Sequence, residues 1–281
     1  MRIIEHTREM QAWSERERCA GKRVALVPTM GFLHEGHLCL VREGRKRADH
    51  LVVSLFVNPK QFAPDEDYKS YPRDFERDRK LLEAEGADVL FCPSVEEMYS
   101  KGCQTHVEAE RLDQLLCGAF RPGHFRGVAT VVAKLFNIVR PHIAVFGLKD
   151  YQQFQIIRRM AEDLNFGVEI VGHPIVREED GLAMSSRNAY LDQRERKAAL
   201  CLYRSLKEAE SLVRHGERES ERLLSAVRGE VEKEPLARLE YVSLCDPWSL
   251  EKLKNIRDEA LLALAVWVGK ARLIDNTILK A

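Results

Sequence analysis

The sequence lacks a net charge, a long apolar run and a paired cysteine motif. Lys plus Arg and Asp plus Glu number 44 each, so no overall field draws the chain toward nucleic acid or an anionic membrane. The seven cysteines are scattered, which is typical of reduced thiols rather than of a disulfide framework. The longest apolar run, residues 260–268, is too short to cross a bilayer, and the charged start MRIIEHTREM is unlike a signal peptide. We expect a soluble, cytoplasmic protein that binds small molecules.

Two common nucleotide-binding motifs are also missing. No Gly-x-Gly-x-x-Gly follows the first apolar run, which argues against a dinucleotide-dependent oxidoreductase. No Gly-x-x-x-x-Gly-Lys-Ser/Thr occurs either, so the usual phosphate loop of P-loop NTPases is excluded. Internal repeats and low-complexity segments are not found. A phosphate site in this chain must therefore use another loop.

The part of the chain up to residue 175 alternates apolar runs with amphipathic stretches. Continuous Val/Ile/Leu runs are typical of strands covered on both faces, so the alternation predicts a parallel α/β sheet of the Rossmann-like kind. The predicted strands are 24–29, 51–57, 88–92, 142–147 and 168–172. The predicted helices are 37–48, 72–85, 127–139 and 151–164. We assign residues 1–175 to this N-terminal domain.

The remainder, residues 176–281, has a different pattern. A long charged helical region begins near Leu191, where Asp192 and Glu195 have the spacing of a capping box. Strands are predicted at 239–244 and 260–268. The sequence thus predicts a smaller α+β C-terminal domain, with a hinge at residues 173–181.

The stretch PTMGFLHEGH, residues 28–37, follows the first predicted strand. In an open α/β sheet, ligands bind beyond the carboxyl ends of the strands. Gly31 and Gly36 can let a ligand approach the backbone, and a helix beginning near Gly36 would direct amide groups toward an anion. Imidazole groups of His34 and His37 could donate hydrogen bonds to the same phosphate.

Other interpretations of His-x-x-His stay open. The two residues could be ordinary polar loop residues, because the bare pattern is common. They could also bind a metal ion, although the spacing is one residue shorter than the zinc-binding His-Glu-x-x-His, and only Cys39 stands nearby as a further ligand.

Several blocks together resemble one family. PTMGFLHEGH is similar to the His-x-Gly-His signature of the nucleotidyltransferase superfamily that includes class I aminoacyl-tRNA synthetases. With VNPKQF (57–62), RPGHFRGVATVVAKLFNIVRP (121–141), FGLKDYQQ (146–153) and DGLAMSSRNAYL (180–191), the chain resembles the pantothenate synthetase (pantoate–β-alanine ligase) family over essentially its whole length.

The resemblance implies a two-step reaction with ATP as substrate. Pantoate and ATP would give pantoyl adenylate and pyrophosphate, and the amine of β-alanine would then release AMP. It implies catalytic roles for His37, His34, Lys149 and Arg187. It also implies an ATP site formed by Met30, Gly31, Phe32, Leu33, His34, Glu35, Gly36, His37, Gly147, Leu148, Lys149, Asp150, Val176, Met184, Ser185, Ser186 and Arg187.

The same resemblance assigns Gln61 to pantoate and β-alanine, and Gln153 to pantoate. We expect Asn58 to contribute a neutral amide to the substrate, although an Asn-Pro turn explains that residue equally well. Asp150 is predicted to cap the helix that follows FGLK, and Lys149 to neutralise phosphate. Two serines and the guanidinium in MSSR suit the oxygens of a β,γ-phosphate, and closure of the smaller domain would exclude water.

Some features have no single interpretation. Arg121, His124 and Arg126 form a basic cluster for which a substrate-entry role and a loop role are both open. Residues 68–86 are predicted to form a solvated helix. Mg²⁺ is expected with the triphosphate, without identified protein ligands, and the family resemblance implies a homodimer. A tRNA-charging enzyme and a nucleotide sensor are the alternative functions.

Overall fold

The computed structural model describes residues 1–64 and 66–281. Within these residues the chain forms two compact units, each built from several segments. The first unit contains Met1–Asp113, Arg121–Leu148 and Gln153–Pro174. The second contains Gln114–Phe120, Lys149–Gln152 and Ile175–Ala281. Among the described helices, none combines the length and hydropathy needed to cross a membrane.

The first unit is built on a parallel sheet. Its strands are β1 (Arg2–Ile4), β2 (Val24–Thr29), β3 (His50–Leu55), β4 (Val89–Phe91), β5 (Ile143–Gly147) and β6 (Glu169–His173). Their order in the sheet is β1-β4-β3-β2-β5-β6, and every pair is parallel. The central strands are buried on both faces, as their continuous apolar runs predict. The predicted Rossmann-like parallel sheet is confirmed.

Helices connect these strands. They are α1 (Thr7–Cys19), α2 (Glu35–Arg47), α3 (Phe75–Ala84), α4 (Val95–Met98), α6 (His124–Val139) and α7 (Tyr151–Asp163), while α5 (Leu116–Phe120) lies in the second unit. The sequence pattern did not predict β1 or α1. In β1 only two apolar residues stand beside a charged stretch, and the α1 sequence is mostly polar.

Three helix starts differ from the prediction, and one of them is α6, which begins at His124 rather than at residue 127. Helix α3 begins at Phe75, later than predicted, because the Asp74 carboxylate accepts a hydrogen bond from the Arg77 amide at 3.1 Å and caps the helix. Helix α2 begins at Glu35, with His34 as its N-cap residue.

The strand order identifies a ligand-binding position at the carboxyl ends of the strands, and we refer to this end as an edge of the sheet. From β2 the chain moves to β3 and β4 on one side, whereas β5 and β6 lie on the other side. The order therefore reverses between β2 and β5, and the crevice beyond the carboxyl ends of such strands is where open α/β sheets bind ligands. The loop after β2 and Gly147 at the end of β5 both lie at this edge.

The second unit is an α+β module. Helices α8 (Gln193–Ala198), α9 (Leu200–Arg214) and α10 (Ser220–Glu232) precede an antiparallel sheet of β7 (Ala237–Cys245), β8 (Glu259–Val268) and β9 (Ala271–Lys280). A core of buried Leu, Val, Ile, Ala and Cys side chains packs α9 and α10 against the sheet. The predicted α+β class is confirmed.

In this unit the local sequence predicted one helix start correctly and missed one strand. The capping box at α8 is confirmed, since Asp192 accepts from the Glu195 amide at 2.8 Å and Glu195 accepts from the Asp192 amide at 3.0 Å. Strand β9 was not predicted, because the polar pair Asp275 and Asn276 interrupts its apolar pattern, yet both side chains are buried.

Candidate active site

The loop after β2 is held by Thr29 and has an unusual backbone conformation. The Thr29 hydroxyl donates to the Ser54 carbonyl at 2.8 Å and accepts from the Gly31 amide at 3.3 Å. Gly31 has φ 84° and Phe32 has φ 52°, a left-handed conformation that is uncommon for an aromatic residue. Such a conformation persists only where surrounding groups impose it.

Asp78 of α3 supplies that constraint. Its buried carboxylate accepts hydrogen bonds from the amides of Phe32 at 2.6 Å and Leu33 at 2.8 Å. Burial raises the pKa of Asp78 above its ordinary value, and the two amides oppose this shift. A Cβ at position 31 would lie 3.1 Å from Asp78 Oδ2, so glycine lets the loop approach the carboxylate.

The prediction that residues 68–86 form a solvated helix is therefore wrong for one face of α3. Asp78 and Leu82 stand four positions apart, and both side chains are buried. A charged residue on the apolar face was the available signal. Arg77 adds to the contact by donating to the Leu33 carbonyl at 2.8 Å.

The structure brings His34 and His37 together in the first turn of α2. Their ring centroids are 4.0 Å apart, and the His34 amide donates to His37 Nδ1 at 3.3 Å. Because Nδ1 accepts, the neutral His37 ring carries its proton on Nε2. Both imidazoles are half-buried at the edge where the strand order reverses. An Nε2–H at a helix N-terminus is suited to donate to an anion.

Glu35, another residue of the predicted ATP site, makes a different contact. Its carboxylate pairs with Arg42 on the same helix, and the hydrogen bond from Arg42 lowers the pKa of Glu35. The side chain is exposed. Any contribution of Glu35 to nucleotide binding must come from its backbone.

Asn58 holds a turn. The 3₁₀ turn Pro59–Gln61 follows it, and Asn58 Oδ1 accepts from the Lys60 amide at 3.2 Å and from the Tyr99 hydroxyl at 2.9 Å. Asn58 Nδ2 donates to the Gly127 carbonyl at 3.0 Å and to Gln61 Oε1 at 3.2 Å. These four bonds use both donors and both acceptor positions of the buried amide. The geometry favours the turn interpretation of Asn58 over direct substrate contact.

Gln61 links this turn to the loop after β2. Its Oε1 accepts from Asn58, and its Nε2 contacts Met30 Sδ at 2.9 Å. The structure thus brings together Met30, which the family resemblance assigns to ATP, and Gln61, which it assigns to pantoate and β-alanine. Tyr99 and Gly127, which support Asn58, were missed because nothing in their local sequence indicates a contact with residue 58.

The segment FGLKDYQQ is divided between the two units. In the first unit, β5 ends at Gly147, Leu148 packs against Gly172, and Gln153 lies half-buried on α7. Leu148–Asp150 forms a 3₁₀ turn that runs directly into α7, so Asp150 is part of this turn and the simple N-cap prediction is not met.

In the second unit, strand β9 holds the backbone of Lys149. The Asn276 side chain donates to the Lys149 carbonyl at 2.9 Å. Asn276 in turn is next to Asp275, whose buried carboxylate is paired in bidentate fashion with Arg177 at 2.6 and 2.9 Å. This buried group of polar residues explains why the polar pair interrupts β9.

The MSSR segment lies in the second unit beside Val176. The Met184 amide donates to the Val176 carbonyl at 3.0 Å. Ser185 precedes the 3₁₀ helix Ser186–Tyr190, and its hydroxyl accepts from the Arg187 amide at 3.2 Å. Ser186 is buried, whereas Ser185 and Arg187 are half-buried. The backbone of Val176 and the start of the MSSR segment are therefore in direct contact.

A dedicated metal cage is not found in the described part of the chain. Within residues 1–64 and 66–281, no group of three or more His, Cys, Asp or Glu side chains is placed to hold a metal ion.

Comparisons with known proteins agree on one family. The family model described as Pantoate-beta-alanine ligase matches residues 2–278. The pantothenate synthetase of Thermotoga neapolitana is 57% identical over 279 residues, covering 99% of this chain and 100% of that protein. The pantothenate synthetase of Geobacter sulfurreducens is 57% identical, covering 99% of each chain.

Solved structures agree as well. The crystal structure of pantothenate synthetase from Thermus thermophilus has a TM-score of 0.94 and 48% identity, covering 99% of both chains. That of the Francisella tularensis pantoate-beta-alanine ligase, complexed with beta-gamma ATP and beta-alanine, has a TM-score of 0.82 and 32% identity, covering 99% of this chain and 97% of that one. With a family model, near full-length relatives and a matching fold in agreement, this chain belongs to the pantoate-beta-alanine ligase family.

Proposed function

We propose that this member of the pantoate-beta-alanine ligase family forms pantothenate in two steps. A carboxylate oxygen of pantoate attacks the α-phosphorus of ATP, the bond to the bridging oxygen breaks, and pyrophosphate leaves. The amine of β-alanine then attacks the acyl carbon of pantoyl adenylate, the carbon–oxygen bond breaks, and AMP leaves. The observation that carries the proposal is the pair of imidazoles in the first turn of α2, at the sheet edge where the strand order reverses. The Francisella relative complexed with beta-gamma ATP and beta-alanine supports the same substrates.

His37 and His34 are proposed to stabilise charge on the triphosphate. The contact between the His34 amide and His37 Nδ1 leaves the Nε2 proton of His37 as the donor toward a phosphate oxygen. Donors that are already oriented stabilise developing charge without further rearrangement, which is the larger part of catalysis at phosphorus. The roles of Lys149 and Arg187 are proposed on the same grounds, as cations for phosphate oxygens.

The ATP site proposed here keeps the residues that the sequence suggested. They are Met30–His37, Gly147–Asp150, Val176 and Met184–Arg187. For Glu35 the proposed contribution is its backbone amide, because the side chain is paired with Arg42. For Gln61 and Gln153 we propose hydrogen bonds from neutral amides to pantoate, with β-alanine also at Gln61. Asn58 is proposed to hold the Gln61 amide rather than the substrate.

Mg²⁺ is proposed to enter with the triphosphate. The described residues hold no ready cluster of metal ligands, so phosphate oxygens and water would supply most of its coordination. When bound, the ion would neutralise phosphate charge.

We also propose that the protein is a cytoplasmic homodimer. The seven free cysteines support a reducing compartment. Sedimentation of the purified chain tests the dimer.

The test is pyrophosphate release from ATP, measured with pantoate present, with pantoate absent, and with amino acids in its place. We expect release only with pantoate, followed by AMP and pantothenate when β-alanine is added. Release that depends on an amino acid and not on pantoate would indicate an enzyme of the tRNA-charging type. ATP binding without release under any condition would indicate a nucleotide sensor.

A further inference from the structure

The segment RPGHFRG, residues 121–127, lies against the turn that carries Gln61. Arg121 Nη2 donates to the Gln61 carbonyl at 3.3 Å, and His124 Nδ1 is 2.7 Å from the same oxygen. Both basic side chains therefore converge on one backbone atom. That atom belongs to the residue for which we propose contacts with pantoate and β-alanine.

Arg121 is fixed before it reaches Gln61. Its Nε and Nη2 donate to the two carboxylate oxygens of Glu66, each at 2.6 Å. The Glu66 carboxylate also accepts from the Ala63 amide at 3.2 Å. The Arg121 side chain is only 13% exposed. A guanidinium paired in this way is poorly suited to capture a substrate carboxylate, because its charge is already balanced.

The contacts of His124 define its proton position. Arg121 Nη1 is 3.1 Å from His124 Nε2, and a guanidinium can only donate. Nε2 must then accept, so Nδ1 carries the proton and donates it to the Gln61 carbonyl. Both contacts exist together only in the neutral Nδ1–H tautomer. The Arg121 side chain thus orients the imidazole that holds Gln61.

The backbone of the same segment also contacts the turn. A Cβ at Gly127 would lie 2.2 Å from the Lys60 carbonyl oxygen, which is too close for any other residue. The Gly127 carbonyl accepts from Asn58, whose amide also holds Gln61 Oε1. Helix α6 therefore begins in direct contact with the turn, and the backbone and side chain of Gln61 are fixed from the same segment.

We infer that Arg121 and His124 are positioning residues, which orient Gln61 toward pantoate and β-alanine and do not themselves bind substrate. This inference rests on the role proposed above for Gln61. The interpretation of the cluster as a substrate-entry site is the competing one. The two differ in whether the effect of each side chain passes through Gln61.

A double-mutant cycle separates them. His124→Ala should lower kcat/KM for pantoate about tenfold, the size expected for loss of one hydrogen bond, with little change in KM for ATP. In a Gln61→Ala background, the same change should have almost no further effect, because contacting residues that act through one another are not additive. An equal loss in both backgrounds would overturn the inference and favour direct substrate contact.

Conservative variants at position 124 add a measurement that a change in fold stability alone would not alter. His124→Asn places an amide donor near the position of Nδ1 and should retain more activity than His124→Gln, whose amide lies near Nε2. The reverse order would contradict the proposed contact. His106→Ala, at an exposed histidine outside this segment, is the matched control and should leave pantoate kinetics unchanged. If Gln61→Ala itself leaves pantoate kinetics unchanged, the role proposed for Gln61 fails, which is distinguishable from additivity in the cycle.

Discussion

At the level of single residues, His37 is placed to act as a hydrogen-bond donor. The His34 amide fixes its Nδ1 as an acceptor, and the helix N-terminus adds positive potential at the ring. Replacement by alanine removes the Nε2 donor together with the Nδ1 acceptor of the His34 amide.

We predict that His37→Ala slows pantoyl adenylate formation by about a hundredfold or more, as for loss of other transition-state donors. The measurement is pantoate-dependent pyrophosphate release. His37→Gln, whose amide nitrogen lies near Nε2, should retain more activity, and His106→Ala at an exposed histidine should behave like the wild type. Near-normal release by His37→Ala would mean that the ring is only structural.

Asp78 is the second residue on which the loop depends. Its two carboxylate oxygens accept two amides, whereas an asparagine offers only one acceptor oxygen. We predict that Asp78→Asn raises KM for ATP about tenfold, because one buried amide then loses its partner at a cost of about 1–3 kcal/mol and the Phe32 backbone relaxes. Steady-state kinetics measure this change. Asp163→Asn, at an exposed position on α7, is the control; an unchanged KM in Asp78→Asn would remove Asp78 from the loop's support.

Glu66 gives the Arg121 contact a pH dependence. Burial alone would raise the pKa of Glu66. The hydrogen bond and charge of Arg121 nevertheless hold this pKa below its ordinary value of 4.5. A carboxyl group with a lowered folded-state pKa stabilises the fold above its unfolded pKa, and this stabilisation is lost as the pH falls through the folded value.

We therefore predict that Glu66→Gln is less stable than the wild type at neutral pH by about 1–3 kcal/mol, because a charge-assisted hydrogen bond is lost. The difference should shrink as the pH drops below 4.5, where the wild-type carboxyl becomes protonated. Urea unfolding of both proteins across this range measures it. A difference that stays constant with pH would show that ionised Glu66 contributes nothing.

Sequence reasoning at this scale succeeded where partners are close along the chain. His34 and His37 are three positions apart, so a helix start necessarily brings them together. Asp78 binds Phe32 and Leu33 across 46 and 45 positions, and this contact depends on how α3 packs on the sheet. The role of Asn58 was ambiguous for the same reason, since two of its partners are Tyr99 and Gly127.

At the level of secondary-structure elements, the contact between α6 and the turn Pro59–Gln61 depends on one missing side chain. The Gly127 backbone approaches Lys60 so closely that a methyl group would overlap its carbonyl. The sequence showed a glycine within a helical pattern but gave no sign of what it contacts.

We predict that Gly127→Ala destabilises the protein by about 1–3 kcal/mol, despite the better helix propensity of alanine, because α6 and the turn must separate. Pantoate KM should rise as well, since Asn58 and Gln61 move with the turn. Gly229→Ala in α10, where nothing lies near the added methyl group, is the matched control and should be neutral or stabilising. A Gly127→Ala protein with wild-type unfolding and kinetics would contradict this packing.

Elements with a strong repeating pattern were predictable. Strand β2 has the predicted bounds, and α7 and β8 agree to within one residue at each end. The short strand β1 and the strand β9 were not found. In β9 a buried ion pair and amide stand where an apolar run would normally identify a strand, and their partners Arg177 and Lys149 lie far away in sequence.

At the level of the whole molecule, composition and motif order indicated the class, and the family model and relatives then confirmed it. The division predicted after residue 175 did not include the short earlier segments that belong to the second unit. Short segments such as Gln114–Phe120 and Lys149–Gln152 belong with the second unit, although their neighbours in sequence belong with the first. One link in that unit is the buried Gln152 side chain, which accepts from the Cys117 amide at 2.9 Å and donates to the Leu115 carbonyl at 2.6 Å.

The most direct test of the proposed reaction follows the oxygen atoms of pantoate. Pantoate labelled with heavy oxygen in its carboxylate should transfer one labelled atom to AMP, because attack at the α-phosphorus joins that oxygen to phosphorus and β-alanine later breaks its bond to carbon. Mass spectrometry of AMP from complete turnover gives the result. AMP with one label per pantothenate formed is expected; unlabelled AMP, or label in inorganic phosphate, would contradict an acyl adenylate.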